Sequence, residues 1–486
     1  MSDPLKNLKP EHLFKHFKAI ADIPHGSYHT EKLSDAILAF AEEKHLDATR
    51  DGAGNVVITV PASPGHEGAA PVILQGHLDM VTVAKPGVIH DFNSDPITLV
   101  VKGDDLYADG TTLGADDGAG VAMALALLDE PDLVHPKLYL VFTTEEEVGM
   151  DGAYALNYKQ FADARSMINL DSEDEGTATI GCAGGTHMTS TLPIRRVKAK
   201  GLAAVLSVSG LAGGHSGDEV DCFGLNAVKV LADALCTIAK DIDFSIVDFK
   251  GGERDNAIPT SAEARLLIAP GERVTLDQMV NTLQQTFRAI AGERDQNLTF
   301  TLDFPEPESV EAAVLDPDSE NRVLGALAAA PCGVVAMNRS VAGAVNTSLN
   351  LGVAATEDKI LSLIFLVRSD RDTARDIICE RVTRLIDLLG GTTEASGSYP
   401  AWTARETSPL LDTLSAIWKA QTGETLVPLV IHGGLECSLF ANALPDLDIV
   451  SIGPDNIDIH TANEHMFISS FQRTYGFLKA AVEALA

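Results

Sequence analysis

Five short segments of the chain carry histidine and carboxylate side chains directly after apolar stretches. They are HLD (77–79), ADDGAG (115–120), TTEEEVG (143–149), INLDSE (168–173) and IDIHTANEH (457–465). Imidazole and carboxylate are the ligands that zinc and similar divalent ions prefer. Together the five segments predict a site for two divalent metal ions that carries out a hydrolytic reaction.

The apolar stretches before these segments predict where the polar groups lie. VILQGHLDMV (72–81) and LYLVFTTEEEVG (138–149) place the imidazole or carboxylate after several strand-type residues. Open α/β sheets bind their ligands at the carboxyl ends of strands. Taken singly, each group has a structural explanation, because aspartates often cap helices and lone histidines often have structural roles. The recurrence of such groups after several strands favours the metal site.

Chain length and a change of pattern along the chain predict two domains. The 486 residues exceed what one hydrophobic core usually supports, and 45% of them are hydrophobic. Residues 1–186 and 399–486 alternate helix and strand signals, which predicts an α/β catalytic domain with a mainly parallel sheet flanked by helices. Residues 187–398 predict an inserted α+β domain. The catalytic domain is discontinuous because His460 must reach the ligands among residues 77 to 171.

The formal charge of −33 excludes some classes of partner. Nucleic acids and anionic membrane surfaces attract basic proteins, so we expect neither as a partner. The N-terminal sequence lacks the apolar core of a secretory signal, and no run of about 18 apolar residues predicts a membrane span. The six cysteines form no CxxC pair, which is typical of reduced thiols. We therefore expect a cytoplasmic protein.

The order of the motifs resembles that of one enzyme family. QGHLDMV, LGADDGAG, TTEEEVGMDGA, NLDSE, GGHSG, NAIP, HGGLEC and IHTANEH follow each other through nearly the whole chain. This series resembles the M20 metallopeptidases, and most closely their aminoacyl-histidine dipeptidase branch. The resemblance implies a zinc-peptidase-like catalytic domain, a lid and dimerisation domain at 187–398, and a homodimer. It also implies two divalent metal ions, with zinc expected and cobalt or manganese as alternatives.

The resemblance implies five metal ligands, two for each ion and one that is shared. The ligands are His77 and Asp171 on one metal, Glu147 and His460 on the other, and Asp116 between them. A shared carboxylate fits this position, because its two oxygens can each bind one of two cations that lie a few ångströms apart.

Two aspartates beside these ligands have other implied roles. In the family, the aspartate of the HxD motif orients the histidine, so Asp79 would hold the imidazole of His77. Asp117 follows the shared position and precedes Gly118, and we expect it to cap a helix.

The three consecutive glutamates leave the register of the catalytic pair open. The family order is a catalytic glutamate, a ligand glutamate, one variable residue and a glycine, so EEVG implies Glu146 as general base and Glu147 as ligand. Glu146 would take a proton from the attacking water and return it to the leaving amine. The alternative register makes Glu145 the base and Glu146 the ligand, and it would point the pair to opposite sides of the strand end.

Four residues outside the metal segments are candidates for substrate binding. They are His215 in GGHSG, Asn256 in DNAIP, Arg368 in LVRSD and Glu436 in HGGLEC. His215 resembles the lid histidine that, in the family, often reaches the active site of the partner subunit and would stabilise the oxyanion. Arg368 and Asn256 suit a free carboxylate, and Glu436 suits a substrate amine. Each also has a structural explanation, as a turn or surface residue.

These expectations together predict a metallo-dipeptidase with a small peptide substrate. It would hydrolyse unblocked dipeptides and prefer Xaa-His dipeptides, including carnosine-like ones. The alternative is an N-acyl amino acid deacylase or a tripeptidase on the same scaffold, and the need for a free substrate amine distinguishes them. A non-catalytic binding protein would be expected to lose the general base or a ligand, and this chain carries all of them.

Overall fold

The computed structural model describes residues 4–217, 219 and 224–486, which form two compact units. The first unit comprises Met1–Gly181, Ala404–Leu429 and Leu435–Ala486, and the second comprises Cys182–Thr403 and Val430–Gly434. The boundaries predicted from the sequence were 186/187 and 398/399. In the structure the boundaries between the units lie at 181/182 and 403/404, and residues 430–434 also belong to the second unit. Cys222 lies outside the described residues.

Both units contain helices as well as strands. The helices are α1 (Glu11–Ala21), α2 (Glu31–Glu43), α3 (Ala115–Leu127), α4 (Asp151–Ala155), α5 (Ala227–Ile238), α6 (Arg273–Ile290), α7 (Pro317–Ala329), α8 (Asp372–Leu388), α9 (Pro409–Thr422), α10 (Cys437–Ala443) and α11 (Ile468–Ala484). The strands are β1 (Asp47–Arg50), β2 (Val56–Val60), β3 (Val72–His77), β4 (Leu99–Lys102), β5 (Asp105–Ala108), β6 (Leu138–Thr143), β7 (Ser166–Asn169), β8 (Thr177–Cys182), β9 (Gly184–Pro193), β10 (Arg196–Ser209), β11 (Phe244–Gly251), β12 (Ala262–Ile268), β13 (Thr299–Asp303), β14 (Ser309–Leu315), β15 (Gly333–Met337), β16 (Val345–Thr356), β17 (Ile360–Ser369), β18 (Thr392–Tyr399), β19 (Val427–Ile431), β20 (Asp448–Ser451), β21 (Asn456–Ile457) and β22 (His465–Phe467).

A mixed sheet forms the centre of the first unit. Within the described residues its order is β1-β2-β6-β3-β7-β20-β8-β19. The neighbours β6, β3, β7 and β20 run parallel, whereas β1 with β2, β2 with β6, and β20 with β8 pair antiparallel. The predicted mainly parallel sheet is thus parallel at its centre and antiparallel towards its edges. The short connection 51–55 explains one edge, because a tight return joins strands only in the antiparallel sense.

Helices α1 and α3 pack against each other in the core of the first unit. Helix α1 buries Leu13, Phe14, Phe17 and Ile20, whose spacing places them on one face. Helix α3 is buried on every side, and its sequence is accordingly rich in glycine and alanine. At Gly120 a Cβ atom would lie 2.6 Å from the Cβ of Leu170. The small residues therefore bring the start of α3 close to the end of β7.

The second unit is an antiparallel sheet with helices packed against it, as expected for an α+β domain. Its strands follow the order β13-β10-β12-β11-β16-β17-β9-β18, with β14 beside β10 and β15 beside β16. Helices α5, α6, α7 and α8 contribute buried apolar residues to its core. Asn226 caps α5 by accepting hydrogen bonds from the N–H groups of Val228 and Lys229. None of the helices among the described residues is both long and apolar enough to span a membrane.

Candidate active site

Three of the five predicted segments follow neighbouring parallel strands. Strands β6, β3 and β7 lie side by side. His77 is the last residue of β3, residues 145–147 follow the end of β6, and Asp171 follows the end of β7. Because the carboxyl ends of parallel strands meet at one edge of a sheet, these side chains converge. Asp116 joins them from the first turn of α3.

The predicted ligands form two sets that share one aspartate. The Nε2 atom of His77 lies 3.0 Å from Oδ1 of Asp116 and 3.4 Å from Oδ1 of Asp171. The Nε2 atom of His460 lies 3.1 Å from Oδ2 of Asp116 and 3.0 Å from Oε2 of Glu147. Each oxygen of Asp116 therefore faces a different imidazole. This arrangement is the one that a carboxylate between two cations requires.

The donor set fits divalent metal ions. Nitrogen and oxygen atoms of His77, Asp116 and Glu147 lie within 4.8 Å of one another, and so do oxygens of Asp116, Asp171 and Glu173. The Oε1 atom of Glu147 is buried and has no hydrogen-bond partner among the described residues. A buried carboxylate oxygen without a donor is costly, and a cation nearby would relieve that cost. Glu173 is a carboxylate that was not predicted from the sequence, although it lies in the same NLDSE segment as Asp171.

The electrostatics of the site reflect this excess of carboxylates. Hydrogen bonds to Asp116 and Glu147 raise the pKa of His460 to about 11. Burial raises the pKa of Glu146 well above its ordinary range, and the nearby charge of Asp171 adds to the effect. The site thus attracts positive charge, and it holds at Glu146 a carboxylate with an increased affinity for protons, as a general base near neutral pH requires.

The contacts of the three glutamates differ and bear on their register. Glu147 contacts His460, and its side chain is only 6% exposed. Glu145 has a φ of 59° and turns its carboxylate to the backbone N–H of Tyr28, at 2.6 Å. Glu145 is therefore occupied elsewhere, which favours Glu146 as base and Glu147 as ligand.

The backbone carbonyl of Asp79, rather than its carboxylate, makes the closer contact with His77. The Nδ1 atom of His77 bonds the backbone carbonyl of Asp79 at 2.9 Å, while the carboxylate is 3.6 Å away. The carboxylate of Asp79 instead accepts hydrogen bonds from the N–H groups of Glu146 and Glu147, at 3.0 and 3.3 Å, and from Ser27. The carbonyl orients the imidazole because it is already within reach of Nδ1. The carboxylate is then free to hold the turn that carries the glutamate pair.

Asp117 has the contacts of a helix cap, because Asp116 and Asp117 have non-helical backbone angles and the regular part of α3 begins after them. Its Oδ1 atom accepts a hydrogen bond from the N–H of Gly120 at 3.0 Å, and its Oδ2 atom accepts one from the N–H of His77 at 3.2 Å. These bonds satisfy backbone donors at the start of α3 and at the end of β3. Asp117 therefore fixes the strand and the helix that carry two of the ligands.

Glu464 connects the segment of His460 to the loop before Asp116. Its carboxylate is buried and accepts hydrogen bonds from the N–H groups of Leu113, Gly114 and Ala115, at 2.7, 3.1 and 2.8 Å. Burial raises the pKa of Glu464 to about 7. This residue was not predicted, because the IHTANEH motif gives no sign of a partner so far away in the chain.

Glu436 was predicted to contact a substrate amine, and the structure gives partners to one of its two carboxylate oxygens; the other, Oε1, is buried without a hydrogen-bond partner among the described residues. Its side chain is fully buried in the first unit, where Oε2 accepts hydrogen bonds from Gln75 and Thr143, both at 2.5 Å. Burial raises its pKa to about 8. In this structure Glu436 lies beneath the site as part of a polar network, because the HGGLEC turn leads directly into the buried helix α10.

The other three predicted substrate residues lie in the second unit. Nη2 of Arg368 is 3.5 Å from Nε2 of His215. Asn256 is joined to the GGHSG segment by its backbone carbonyl, which accepts a hydrogen bond from the N–H of Ser216 at 2.8 Å. Arg368 is 6% exposed, and its Nε atom has no hydrogen-bond partner among the described residues. The second unit therefore places His215 at the buried guanidinium group of Arg368, and it ties Asn256 to the segment of His215.

Tyr399 completes this cluster and was not predicted. Nη1 of Arg368 donates a hydrogen bond to the Tyr399 hydroxyl at 2.9 Å. A Cβ atom at Gly185 would lie 2.5 Å from that hydroxyl, and one at Gly434 would lie 3.0 Å from the ring. The glycines of the CAGG and HGGLEC motifs thus make room for Tyr399.

Comparison with known proteins identifies related peptidases. Residues 73–484 match the model of peptidase family M20/M25/M40. The chain is 38% identical to the cytosol non-specific dipeptidase of Escherichia coli over 468 residues, and this alignment covers 96% of each protein. It superposes on the aminoacylhistidine dipeptidase of Vibrio alginolyticus with a TM-score of 0.91 and 34% identity, covering 99% of this chain and 98% of that one.

A more distant match agrees in fold. A tripeptidase from Staphylococcus aureus superposes with a TM-score of 0.57 at 16% identity, over 98% of this chain and 99% of that one. The relatives of high coverage and identity are dipeptidases, in agreement with the activity expected from the sequence. The match to the family model spans well over half of the chain. The chain belongs to peptidase family M20/M25/M40.

Proposed function

We propose that the protein is a two-metal dipeptidase that hydrolyses unblocked dipeptides, preferably those with a C-terminal histidine. The observation that carries the proposal is the position of Asp116, whose two oxygens face His77 and His460 at 3.0 and 3.1 Å. One shared carboxylate with an imidazole on each side is the donor set of a two-ion hydrolase. Both similar proteins are named as dipeptidases, which supports a dipeptide substrate. The name of the Vibrio alginolyticus protein, aminoacylhistidine dipeptidase, supports the preference for a C-terminal histidine.

The residues of the chain would then have these roles. His77 and Asp171 hold one ion, Glu147 and His460 hold the other, and Asp116 holds both. When bound, two divalent ions lower the pKa of a water and polarise the scissile carbonyl. Glu146 takes the proton of the attacking water and delivers it to the leaving amine. Asp79 keeps Glu146 and Glu147 in place through their backbone N–H groups.

We assign the substrate carboxylate to Arg368. Its guanidinium is buried, and its Nε atom has no hydrogen-bond partner among the described residues. A buried N–H group without an acceptor is costly, and a carboxylate that accepts from Nε relieves that cost. His215 lies beside it, and Asn256 is bonded through its backbone to the GGHSG segment that carries His215; both are proposed as further donors.

The experiment is a substrate panel tested on metal-depleted protein refilled with zinc, manganese or cobalt. The panel contains Gly-His, β-Ala-His, N-acetyl-Gly-His and a tripeptide. We expect hydrolysis of the unblocked dipeptides and large discrimination against the other two, because a missing charged terminus leaves buried polar groups unpaired. An N-acetylated substrate hydrolysed as well as Gly-His would favour a deacylase, and an equally good tripeptide would favour a tripeptidase.

We also propose a cytoplasmic homodimer in which His215 acts on the active site of the partner. The similar Escherichia coli enzyme is named for the cytosol, and GGHSG resembles the lid motif of dimeric relatives. A mixed dimer of one His215→Ala subunit and one Glu146→Gln subunit should regain one working site. An active monomer in sedimentation, or mixed dimers as inactive as their parents, would exclude this arrangement.

A further inference from the structure

Glu173 is a carboxylate of the site that has no role in the mechanism proposed above. It stands two residues after Asp171. Three carboxylate oxygens lie within 4.8 Å of one another, one each from Asp116, Asp171 and Glu173. Among the described residues, none donates a hydrogen bond to the Glu173 carboxylate or forms an ion pair with it, although the charge of His460 acts on it from nearby. Three carboxylates so close together repel one another when charged, and a divalent cation among them would relieve that repulsion.

The backbone around Glu173 is held in place. The carbonyl of Glu173 accepts a hydrogen bond from the N–H of Asn456 at 2.9 Å. The N–H of Glu175 donates to Oδ1 of Asp455 at 2.7 Å, and the hydroxyls of Ser172 and Ser451 lie 2.7 Å apart. Both sides of Glu173 are thus tied to residues 451–456 of the first unit. Its place beside Asp116 and Asp171 is built into the loop.

We propose that Glu173 is a further ligand of the metal ion held by His77 and Asp171. That position then has one imidazole and three carboxylates, whereas the position of His460 has one imidazole and two carboxylates. Carboxylate oxygens suit manganese better than imidazole nitrogen does, and imidazole suits zinc. The two positions consequently differ in their choice of metal, and the His77 position is the one that binds Mn²⁺. This inference rests on the two-ion site of the proposed function.

The test compares Glu173→Gln with Asp174→Asn. Asp174 is the neighbouring carboxylate and is exposed, so the two variants change the net charge equally. Mn²⁺ is titrated into metal-depleted full-length protein, and free Mn²⁺ is measured by electron paramagnetic resonance. In Glu173→Gln, the dissociation constant for one of the bound Mn²⁺ ions should rise by about tenfold or more. In Asp174→Asn, the dissociation constants should stay within about twofold of the wild type, because exposed charges act weakly.

A competition experiment adds a second readout. From an equal mixture of Mn²⁺ and Zn²⁺, Glu173→Gln should retain less manganese relative to zinc than the wild type. Unchanged Mn²⁺ binding in Glu173→Gln, or an equal loss in both variants, overturns the assignment. If Glu173→Gln does not fold, Glu173→Asp replaces it, since it keeps the charge and shortens the reach, and wild-type Mn²⁺ affinity in that variant also overturns the assignment. Hydrolysis of Gly-His is measured separately. If the wild type does not hydrolyse Gly-His but the variants show the expected Mn²⁺ binding, the dipeptidase activity is refuted and the assignment of Glu173 stands.

Discussion

Replacing Glu464 by glutamine tests whether its three hydrogen bonds hold the metal site together. Oε2 of Glu464 accepts from Leu113 and Gly114, and Oε1 accepts from Ala115. A glutamine keeps the shape but replaces one oxygen by an NH₂ group. If the NH₂ group faces Ala115, one buried N–H loses its acceptor, and in the opposite orientation two do. Each unsatisfied buried donor costs about 1–3 kcal/mol, so the free energy of unfolding should fall by at least that amount.

The same substitution should weaken metal binding. Glu464 lies four residues after His460, and its acceptors hold the loop that leads to Asp116. Loss of these bonds lets the two ligands move independently, so metal content after dialysis should fall below that of the wild type. Urea unfolding of metal-free protein gives the stability, and elemental analysis gives the metal content.

Glu11→Gln is a suitable control for this prediction. Glu11 pairs with Lys9 on the surface at 3.2 Å, with both side chains 74% exposed. Such pairs contribute little, so this variant should keep its stability within about 0.5 kcal/mol and all of its metal. If Glu464→Gln behaves like Glu11→Gln in both measurements, the three bonds do not position the site.

Three further predictions concern the base, a buried acid and two glycines. Glu146→Gln should keep its metal and lose about 10²–10⁴-fold in kcat, whereas Glu145→Gln should stay close to the wild type; loss of metal in the first variant would favour the other register. Glu436 has its pKa raised by burial to about 8 from an ordinary value of 4.5, so the folded state holds a proton that the unfolded chain lacks between these pH values. The free energy of unfolding of metal-free protein should therefore fall as the pH rises through that window, by up to about 1.4 kcal/mol per pH unit, and Glu436→Gln should flatten the curve measured by urea unfolding. Gly453→Ala would place a Cβ atom 1.5 Å from a backbone carbonyl oxygen, while at Gly476 of α11 nothing lies within 4 Å; thermal unfolding should show the first variant destabilised by about 1–3 kcal/mol or more and the second unchanged or slightly stabilised.

Helices and strands with a regular pattern of apolar residues were predictable from the sequence. The strand 72–77 is buried throughout, and helix 227–238 buries one continuous face. Both patterns involve residues close in sequence, which is why they can be recognised locally. The antiparallel edges of the first sheet were missed, because strand order depends on pairings that no single segment specifies.

The candidate site was predictable at the level of its motifs but not of its supporting contacts. His77, Asp116 and His460 converge as the motif order implied. The bonds of Glu464 join residues 349 to 351 positions apart, and the burial of Glu436 depends on partners 293 and 361 positions away. The local sequence around a glutamate does not say which distant donors it will meet.

The position of β20 has a consequence for how the protein is made. This strand lies between β7 and β8 in the sheet, although the whole second unit separates it from them in the chain. The hydroxyl of Ser451 in β20 donates a hydrogen bond to Asn169 in β7, across 282 residues. At about 5–20 residues per second, a ribosome needs roughly 15–60 s to cover that distance.

During this interval the edge of β7 lacks the strand that will cover it. Unpaired strand edges on nascent chains invite association with other chains, so the growing protein is most exposed to aggregation or chaperone capture at this stage. The segment that closes the sheet is followed within a few residues by His460. The nascent chain therefore completes its sheet and its metal site in nearly the same moment, and it cannot hydrolyse peptides before its fold is closed.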